Sequence, residues 1–272
     1  MTKISIVTPV FNNRRYVRQA IDSVLSQKGD FEVEHIIKDG GSTDGTLEIL
    51  DEYASQPGLK VITGPDRSLY HALRIGYEQA SGDIGGFLCS DDFYAPGAFG
   101  KVLAGFEKYP KRDWLYGRCD IVDGQSQPIR NWITCYKNIA GFWYNRWLLG
   151  CVNYVNAPAT FWRMRAWQAT GGMTDKYKYA SDYAFWMELG LQSKGIALHE
   201  HISSFRRAGV SISDCHYHDQ FAEELEIARQ HAGPLAMTIH KLNVRAITGI
   251  YSLLGRAGAT EIKEGTTNAD EN

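Results

Sequence analysis

Several features that mark large protein classes are missing from this 272-residue sequence. No run of apolar residues reaches the roughly 20 that a membrane-spanning helix needs, so no membrane span is predicted. The formal net charge is only −2, which argues against nucleic acid as a partner because nucleic-acid-binding domains usually carry a basic surplus. The chain begins directly with a strand-like segment, so we expect no signal peptide and predict a cytoplasmic protein.

Cysteine is scarce, and two glycine-rich signatures are missing. The five cysteines are odd in number and form no CxxC pair, so neither a disulfide framework nor a zinc site is predicted, as suits a reducing compartment. They are Cys89, Cys119, Cys135, Cys151 and Cys215. The absence of GxGxxG weighs against a dinucleotide-dependent oxidoreductase, and the absence of GxxxxGKS/T weighs against a P-loop NTPase.

The first hundred residues alternate strand-like and helix-like segments. Short apolar runs at residues 3–8, 32–38, 59–63 and 84–88 have the length and composition of buried strands. Helix-like segments lie between them, and Gly82 is expected to terminate the helix that precedes the fourth run. This alternation predicts an α/β fold of the Rossmann-like nucleotide-binding type, with a mostly parallel central sheet and flanking helices.

The pattern is less regular in the second half of the chain. Strands are predicted at residues 114–124 and 159–163, and a strand pair is predicted between residues 196 and 210. The aromatic stretch 129–150 has only partial periodicity. Three interpretations of it stay open, namely packing within the protein, contact with an acceptor and contact with a membrane surface.

The chain changes character again near its C-terminus. Residues 213–257 are predicted to form a helical extension, and the polar tail 258–272 is predicted to be disordered. Within the extension, residues 235–256 are amphipathic and basic. Packing of this helix against the core is the preferred interpretation, and in-plane association with a membrane is the second, because an interfacial helix also combines an apolar face with Lys and Arg.

Two adjacent acids, Asp91 and Asp92, stand at the end of the fourth apolar run. Open α/β sheets bind their ligands at the carboxyl ends of the strands. A pair of carboxylates at that edge suits a Mg²⁺ or Mn²⁺ ion that carries a phosphate group. The alternative is that Ser90, Asp91 or Asp92 only caps a short helix near Pro96.

Further candidate residues follow the second and third strands or precede a later helix. Asp39 begins a glycine-rich loop, where it either accepts hydrogen bonds from a base or ribose or simply forms the turn. Asp66 and Arg67 end the third strand, where Arg67 either meets a diphosphate or is solvated. Asp182 stands just before a predicted helix, as its N-cap or as a catalytic base held at its start.

Several motifs, taken in their order along the chain, resemble the inverting family 2 glycosyltransferases with a GT-A fold. The motifs are TPVFNN, DGGSTDGT, GPDRSLYHALRIGYEQASGD leading to FLCSDD, PATFWRMRAWQATGG and YASDYAFWMEL. The resemblance covers residues 3–212. It implies a GT-A domain over residues 1–212, with a nucleotide-sugar-binding half at 1–100 and an acceptor-binding half at 101–212.

The resemblance also implies a binding site for the donor nucleotide. Its members would be Pro9, Val10, Phe11, Asp39, Asp66, Arg67 and Asp91. In this assignment Asp39 bonds the base, Asp66 and Arg67 contact the base or the diphosphate, and Asp91 meets the ribose or a metal ion.

Metal binding and proton transfer complete the roles that the resemblance implies. Asp92, with Asp91, would bind the Mn²⁺ or Mg²⁺ that bridges the diphosphate, and Asp182 matches the catalytic base. Cys89 occupies the first position of what would be a strict DxD motif, so the metal shell is expected to rely mainly on Asp92. His71 stands where relatives often have Asp, so the resemblance does not define the donor or acceptor contacts at this position.

The implied function is the metal-dependent, inverting transfer of a sugar from a nucleoside-diphosphate sugar to a hydroxyl group. Family frequency favours a UDP-sugar as the donor. A glycan or a lipid-linked glycan is the expected acceptor, in surface-polysaccharide or glycoconjugate biosynthesis, with the protein in the cytoplasm or peripherally at the inner face of the membrane.

Two other functions compete with this one. The first is a catalytically silent nucleotide-binding or assembly module on the same fold, although such a module need not retain acids at positions 39, 91, 92 and 182. The second is a nucleotidyltransferase, which is also an α/β protein with an acidic metal site. It would carry a glycine-rich loop with a basic residue after the first strand, and TPVFNNRRYV has no glycine there.

Overall fold

A central sheet of eight strands runs through the computed structural model, which describes residues 1–207 and 216–249. In chain order the strands are β1 (Thr2–Val10), β2 (Phe31–Asp39), β3 (Leu59–Thr63), β4 (Ile84–Phe87), β5 (Phe93–Tyr94), β6 (Trp114–Val122), β7 (Thr160–Arg163) and β8 (Ile196–Arg206). Their order across the sheet is β3-β2-β1-β4-β7-β6-β8-β5.

Most of these strands run in the same direction. β1 pairs in parallel with β2 and β4, and β2 pairs in parallel with β3. β7 lies antiparallel between β4 and β6, so β6 and its parallel neighbour β8 again share the direction of β1. Only β7 and the two-residue β5 run the other way among the described strands. The predicted mostly parallel α/β sheet is therefore confirmed.

Helices cover both faces of the sheet. They are α1 (Val17–Leu25), α2 (Thr46–Glu52), α3 (Leu69–Tyr77), α4 (Ala98–Lys108), α5 (Asn131–Ala140), α6 (Arg146–Cys151), α7 (Met164–Thr170), α8 (Ser181–Gln192) and α9 (Tyr217–His231). A further helix, called the C-terminal helix here, begins at residue 234 and continues to residue 249. Among the described helices, none has the length and apolar character required to cross a bilayer.

The core consists of apolar layers on the two sides of the sheet. On one side α1 and α4 pack on β1, β4 and β6. On the other side α3, α6, α7 and α8 pack on the sheet around Trp114 and Trp162. β4 is buried along its whole length, as predicted for a strand that is covered on both faces.

The predicted role of Gly82 as the terminator of α3 is wrong. The helix ends at Tyr77, and Gly82 lies in the loop that leads into β4. A Cβ atom on Gly82 would lie 2.5 Å from Ser5 Oγ and 2.8 Å from the carbonyl oxygen of Lys3. Glycine is therefore required here because the loop approaches β1 closely, and not because a helix ends in a left-handed conformation.

Two other regions also differ from the sequence-based expectations. The predicted strand pair at 196–210 is one long strand over its described part, because β8 pairs with β6 on one side and with β5 on the other. Residues 208–210 lie outside the described residues. The aromatic stretch 129–150 forms α5 and α6, which the irregular apolar pattern does not indicate.

The described part of the C-terminal extension packs against the core. Ile227 of α9 and Ala236 of the C-terminal helix are buried in the same apolar cluster as Trp162 and Trp186. The extension is thus continuous with the core up to residue 249. The rest of the predicted helix 235–256 and the predicted disordered tail lie outside the described residues.

Gly82→Ala should destabilise the protein by about 1–3 kcal/mol, because the new methyl group meets backbone atoms of β1 that cannot move aside independently of the sheet. Urea denaturation at constant pH measures the change. Gly100→Ala in α4 is the matched control, because its Cβ meets nothing within 4 Å and alanine favours helix by about 1 kcal/mol. Equal effects of the two substitutions would contradict the packing role of Gly82.

Candidate active site

The carboxyl ends of β1, β2 and β4 meet at one edge of the sheet, because β1 is parallel to both of its neighbours. Val10, the last residue of β1, is the register partner of Asp39, the last residue of β2. Asp91 and Asp92 follow the end of β4. The fold thus brings these predicted site residues to the edge where open α/β sheets bind ligands.

Cys89, Asp91 and Asp92 form a tight turn beyond β4, called the acidic turn here. Their potential ligand atoms all lie within 4.8 Å of one another. Asp92 is only 1% exposed, and its Oδ1 accepts a hydrogen bond from the backbone amide of Arg206 at 2.8 Å. Within the described part of the chain, Asp92 Oδ2 is buried and has no hydrogen-bond partner. Leaving a buried carboxylate oxygen unpaired is costly, so a ligand for this atom is expected.

The side chain of Arg206 holds the acidic turn against the end of β8. Arg206 is buried, and its guanidinium lies 4.4 Å from the ring centroid of Tyr16 and 5.4 Å from that of Phe93. Its acceptors are the carbonyl oxygens of Asp91 (2.9 Å) and Asp123 (2.8 Å), Gln19 Oε1 (2.7 Å) and Ser126 Oγ (3.1 Å). A fully buried cation with this many acceptors keeps the turn in one conformation.

The electrostatics of the acidic turn favour a hard cation. Burial raises the pKa of the Asp92 carboxyl well above its usual range, and the charge of Asp91 adds to the increase. Burial also raises the pKa of the Cys89 thiol, with contributions from both acids. A divalent cation would counteract the effect of burial on the carboxylates, and it prefers oxygen to a protonated thiol. The carboxylate oxygens therefore fit Mn²⁺ or Mg²⁺, while Cys89 is a neighbour of the site.

Asp182 lies in the first turn of α8, near the acidic turn. The hydroxyl of Tyr70 donates to Asp182 Oδ1 at 3.0 Å, and the amide of Tyr183 donates to the same oxygen at 2.8 Å. Burial raises the pKa of Asp182 to about 6, since desolvation outweighs these two hydrogen bonds. The charge of Asp182 in turn contributes to the raised pKa of the Cys89 thiol.

This environment suits Asp182 to accept a proton. A carboxylate with a pKa near 6 is ionised at neutral pH and is a stronger base than an exposed aspartate. Both donors use Oδ1, and within the described residues Oδ2 has no hydrogen-bond partner. The residue at the N-cap position of α8 is Ala180, so the geometry does not support the alternative in which Asp182 only caps the helix.

Asp39 organises the glycine-rich loop after β2. Its Oδ1 accepts hydrogen bonds from the amides of Gly41 (2.8 Å) and Ser42 (2.9 Å), and its Oδ2 accepts one from the Ser42 hydroxyl. Asp39 is buried. These contacts are those of the turn-forming alternative, and the predicted contact of Asp39 with a nucleobase stays a prediction.

An open face beside this loop contains two other predicted residues. Phe11 follows β1 and is 65% exposed, which is unusual for an aromatic side chain of this size. A Cβ atom on Gly40 would lie 2.9 Å from Asp66 Oδ2 and 3.2 Å from the Phe11 ring, so the three residues are neighbours. The buried Lys38 ammonium lies 3.4 Å from Asp66 Oδ2. Pro9 and Val10, by contrast, are buried within β1.

Arg67 lies farther out and is held by a partner that the sequence does not indicate. Its guanidinium donates to Asp175 Oδ2 at 2.8 Å, and Arg74 donates to Asp175 Oδ1 at 3.4 Å. The Arg67 side chain is largely exposed. The amide of Arg67 donates to His71 Nδ1 at 3.2 Å, so His71 stabilises the turn before α3.

Sequence reasoning missed Tyr70 and Arg206. Tyr70 lies in one of the quoted motifs, where its helical spacing indicates a core residue and nothing indicates that its hydroxyl reaches Asp182. Arg206 ends a strand of mixed polarity and precedes a second arginine, so no local signal in the sequence indicates that its side chain is buried.

Comparison with known proteins gives a family match and several relatives. The model of Glycosyl transferase family 2 matches residues 5–165, more than half of the chain. The chain is 30% identical over 190 residues to an Escherichia coli chondroitin synthase, covering 68% of this chain and 26% of that protein. It is 27% identical over 187 residues to a Pasteurella multocida hyaluronan synthase, covering 68% of this chain and 18% of that protein. The chain therefore matches only 18–26% of the length of these synthases.

Solved structures share the fold. Staphylococcus aureus TarS (residues 1–349), solved with UDP-GlcNAc, superposes with a TM-score of 0.65 at 19% identity and covers 84% of this chain and 66% of that one. The mannosyltransferase PcManGT from Pyrobaculum calidifontis, solved with GDP-Man and Mn²⁺, gives a TM-score of 0.61 at 14% identity and covers 96% of this chain and 81% of that one. The similarity to TarS agrees with the GT-A fold expected from the sequence.

Asp182→Asn should make the protein more stable at pH 8 by about 1–2 kcal/mol, after allowance for partial solvent screening. The folded chain binds the Asp182 proton more tightly than the unfolded chain, because burial raises the folded pKa to about 6. The stabilising contribution of Asp182 is therefore present below about pH 4 and is lost as the pH rises through 6. Urea denaturation of both proteins at pH 4 and pH 8 measures this difference.

The gain from Asp182→Asn should largely disappear at pH 4, where the wild-type carboxyl is already protonated in the folded chain. Asp175→Asn serves as the control, since it removes an acid from an ion pair with Arg67 and should not gain stability at pH 8. A stability change in Asp182→Asn that is the same at both pH values would show that burial does not raise the pKa of Asp182.

Proposed function

Because the chain belongs to glycosyl transferase family 2, we propose that it is an inverting glycosyltransferase that moves a sugar from a nucleoside-diphosphate sugar to a hydroxyl acceptor. One observation carries this proposal. Asp182, a partly buried carboxylate suited to accept a proton, lies beside the acidic turn at the carboxyl edge of a mostly parallel sheet. A metal-dependent nucleotide-sugar transferase needs these two elements together, one for the leaving diphosphate and one for the acceptor hydroxyl.

The donor nucleotide is placed along the ends of β1, β2 and β3. The exposed Phe11 ring offers a face on which a base can stack, Asp66 lies close to it, and Asp39 begins the loop that follows β2 at the same edge. Arg67 can turn towards a diphosphate from its exposed ion pair with Asp175. UDP is the proposed nucleotide, by family frequency, and the UDP-GlcNAc complex of the structurally similar TarS agrees with this choice.

Asp92 and Asp91 are proposed to hold a Mn²⁺ or Mg²⁺ ion. The support is the buried and unpartnered Asp92 Oδ2, next to a second carboxylate. When bound, such an ion would offset the negative charge that develops on the leaving diphosphate. Asp91 is also proposed to contact the ribose of the donor.

Asp182 is proposed as the catalytic base. Its carboxylate takes the proton from the acceptor hydroxyl while that oxygen attacks the anomeric carbon. The bond between the anomeric carbon and the diphosphate oxygen breaks, the electron pair leaves with the nucleoside diphosphate, and the configuration at the anomeric carbon inverts in a single displacement. The hydrogen bonds from Tyr70 and from the Tyr183 amide orient the carboxylate for this role.

The acceptor is proposed to be a glycan or a lipid-linked glycan in surface-polysaccharide or glycoconjugate assembly. An exposed apolar row on α5 includes Trp132, Tyr136 and Ile139, and Leu242 of the C-terminal helix is also exposed. The Tyr136 hydroxyl donates to Asn243 Oδ1 at 2.7 Å and joins the two helices. From this surface we propose a peripheral position on a membrane, and we place it at the inner face because the protein is proposed to be cytoplasmic.

The proposed domain organisation follows from this function. Residues 1–100 form the nucleotide-sugar-binding half and residues 101–212 form the acceptor-binding half of one GT-A domain. Residues 216–249 are the described part of the helical extension predicted for 213–257, and the predicted tail 258–272 lies outside the described residues.

Substitution of the two acids should separate donor binding from turnover. Asp92→Ala should abolish the tightening of UDP binding by Mn²⁺, because it removes the buried metal-facing oxygen. Asp182→Asn should leave UDP binding unchanged and lower turnover by about 10²–10⁴-fold. Calorimetry with UDP, GDP, CMP and dTDP, with and without Mn²⁺, measures binding. Transfer from UDP- and GDP-sugars to chondroitin or hyaluronan oligosaccharides, the products named for the relatives, measures turnover.

Asp113→Ala is the control for this experiment, because Asp113 pairs with Arg165 next to the opposite end of β6. It should change neither binding nor turnover. Failure of all four nucleotides to bind in the presence of Mn²⁺ would reject the donor site. Nucleotide binding without any sugar transfer would instead favour the silent-module alternative.

Tyr70→Phe should move the acidic limb of the pH–rate profile to higher pH. Asp182 must be ionised to accept a proton, so activity should rise as the pH increases through about 6. The hydrogen bond from Tyr70 lowers the pKa of Asp182, and its removal should therefore raise that pKa by up to about one unit. Turnover measured from pH 5 to pH 9 reports the shift.

Tyr77→Phe is the matched control for Tyr70→Phe. Tyr77 lies on the same helix and is buried, but its hydroxyl donates to the carbonyl oxygen of Gly86 at 2.6 Å and not to Asp182. Its removal should leave the acidic limb in place. A limb that moves equally in both variants, or that moves to lower pH in Tyr70→Phe, would argue against Asp182 as the titrating base.

A further inference from the structure

Three consecutive backbone amides just before Asp182 converge on a single carboxylate. The amide of Lys178 donates to Glu223 Oε1 at 2.9 Å, and those of Tyr179 and Ala180 donate to Glu223 Oε2 at 2.7 and 2.9 Å. Glu223 lies in α9, beyond the residues 5–165 that match the family model. Hydrogen bonds to an ionised acceptor are stronger than those between neutral groups, so this contact fixes the loop firmly.

The start of α8 offers no N-cap side chain that could hold the preceding residues. Its N-cap residue is Ala180, which has no side-chain oxygen to accept from backbone amides. The side chains of Ser181 and Asp182 make other contacts, since the Ser181 hydroxyl donates to the carbonyl oxygen of Thr174 and Asp182 Oδ1 accepts from Tyr70 and from the Tyr183 amide. The carboxylate of Glu223 therefore supplies the acceptor for residues 178–180, and it acts two residues ahead of Asp182.

The neighbouring residue, Glu224, makes a second connection between α9 and the candidate base. Glu224 is buried, accepts a hydrogen bond from Asn153 Nδ2 at 3.0 Å and lies 3.7 Å from His240 Nε2. The His240 ring stacks on Tyr183, the residue after Asp182, with centroids 5.8 Å apart. The C-terminal helix thus contacts the first turn of α8 through His240, and Glu224 links α9 to His240.

We propose that Glu223 is a positioning residue for Asp182, and that α9 is consequently part of the catalytic unit. The inference rests on the proposed function for its catalytic consequence. Glu223 holds residues 178–180 by their backbone, which sets where the Asp182 carboxylate lies relative to the acidic turn. A displacement of about 1 Å at a catalytic group can lower turnover by about 10²-fold, even when the substituted residue is remote from the chemistry.

Glu223→Ala tests this role, and Glu226→Ala is the matched control. Glu226 lies on the same helix and pairs with Lys176 in the same loop, but it accepts from side chains and not from the backbone amides. Glu223→Ala should lower kcat about 10–100-fold and change the donor KM less than about threefold. Glu226→Ala should have little effect on either. UDP release from UDP-GlcNAc with chondroitin oligosaccharides, and mannosyl transfer from GDP-mannose, are the probes.

Glu223→Gln distinguishes a positioning role from a general loss of stability. Its amide oxygen can still accept from Tyr179 and Ala180, so this variant should recover most of the kcat that Glu223→Ala loses. A loss of kcat in Glu223→Ala no larger than in Glu226→Ala would overturn the proposal. A rise in donor KM that matches the fall in kcat would overturn it too.

Hydrogen exchange of the backbone amides gives a readout that does not depend on activity. The amides of residues 178–180 should exchange faster in Glu223→Ala than in the wild-type protein, and their exchange rate should be unchanged in Glu226→Ala. The amides of β4 should stay protected in both variants. Unchanged exchange at 178–180 in Glu223→Ala would reject the positioning role. If wild-type protein transfers no sugar, the proposed function fails, and the exchange result still decides whether Glu223 positions the residues before Asp182.

Discussion

The buried guanidinium of Arg206 is the interaction on which the candidate site depends. Asp91 and Asp92 follow a strand only four residues long, and local structure alone does not hold two adjacent carboxyl groups, one of them buried, in a fixed position. The buried side chain of Arg206 places a positive charge there and donates a hydrogen bond to the carbonyl oxygen of Asp91. The backbone amide of Arg206 donates to Asp92 Oδ1. A charge buried at this depth is stable only when nearly all its donors are satisfied, so the acceptors around it are constrained as well.

The environments of the two acids Asp92 and Asp182 differ. Asp92 receives one amide and keeps an oxygen without a partner in the described chain, and a neighbouring carboxylate increases the cost of its charge. Asp182 receives two donors on one oxygen, and its pKa rises only to about 6. The first environment suits a cation and the second suits a proton. Burial and hydrogen bonding thus give two carboxyl groups of the same type different chemical properties.

The extent to which the sequence predicts this structure follows from the range of the interactions involved. The alternation of strands and helices up to residue 100, and the acids at their ends, are local patterns, and the fold reproduces them. The predicted role of Gly82 is wrong because this glycine is required by a close approach to Ser5 on β1, which is distant in the sequence. Arg206 and Tyr70 were missed for the same reason, since each acts on an acid about a hundred positions away. Neither hydrophobic periodicity nor turn chemistry contains information on contacts of that separation.

The same reasoning applies to the boundary at residue 212. It marks a real change in the sequence, from apolar strands to polar helices, but packing across it is continuous, because Ile227 and Ala236 lie in the core cluster that also contains Trp186. The carboxylate of Glu223 also accepts hydrogen bonds from the amides of residues 178–180, just before α8. Apolar packing and these hydrogen bonds thus bind α9 to the domain by two independent contributions, and removal of the helix would expose apolar surface and leave these amides without their acceptor. The C-terminal helices up to residue 249 are therefore best understood as the last layer of the fold that carries the candidate base.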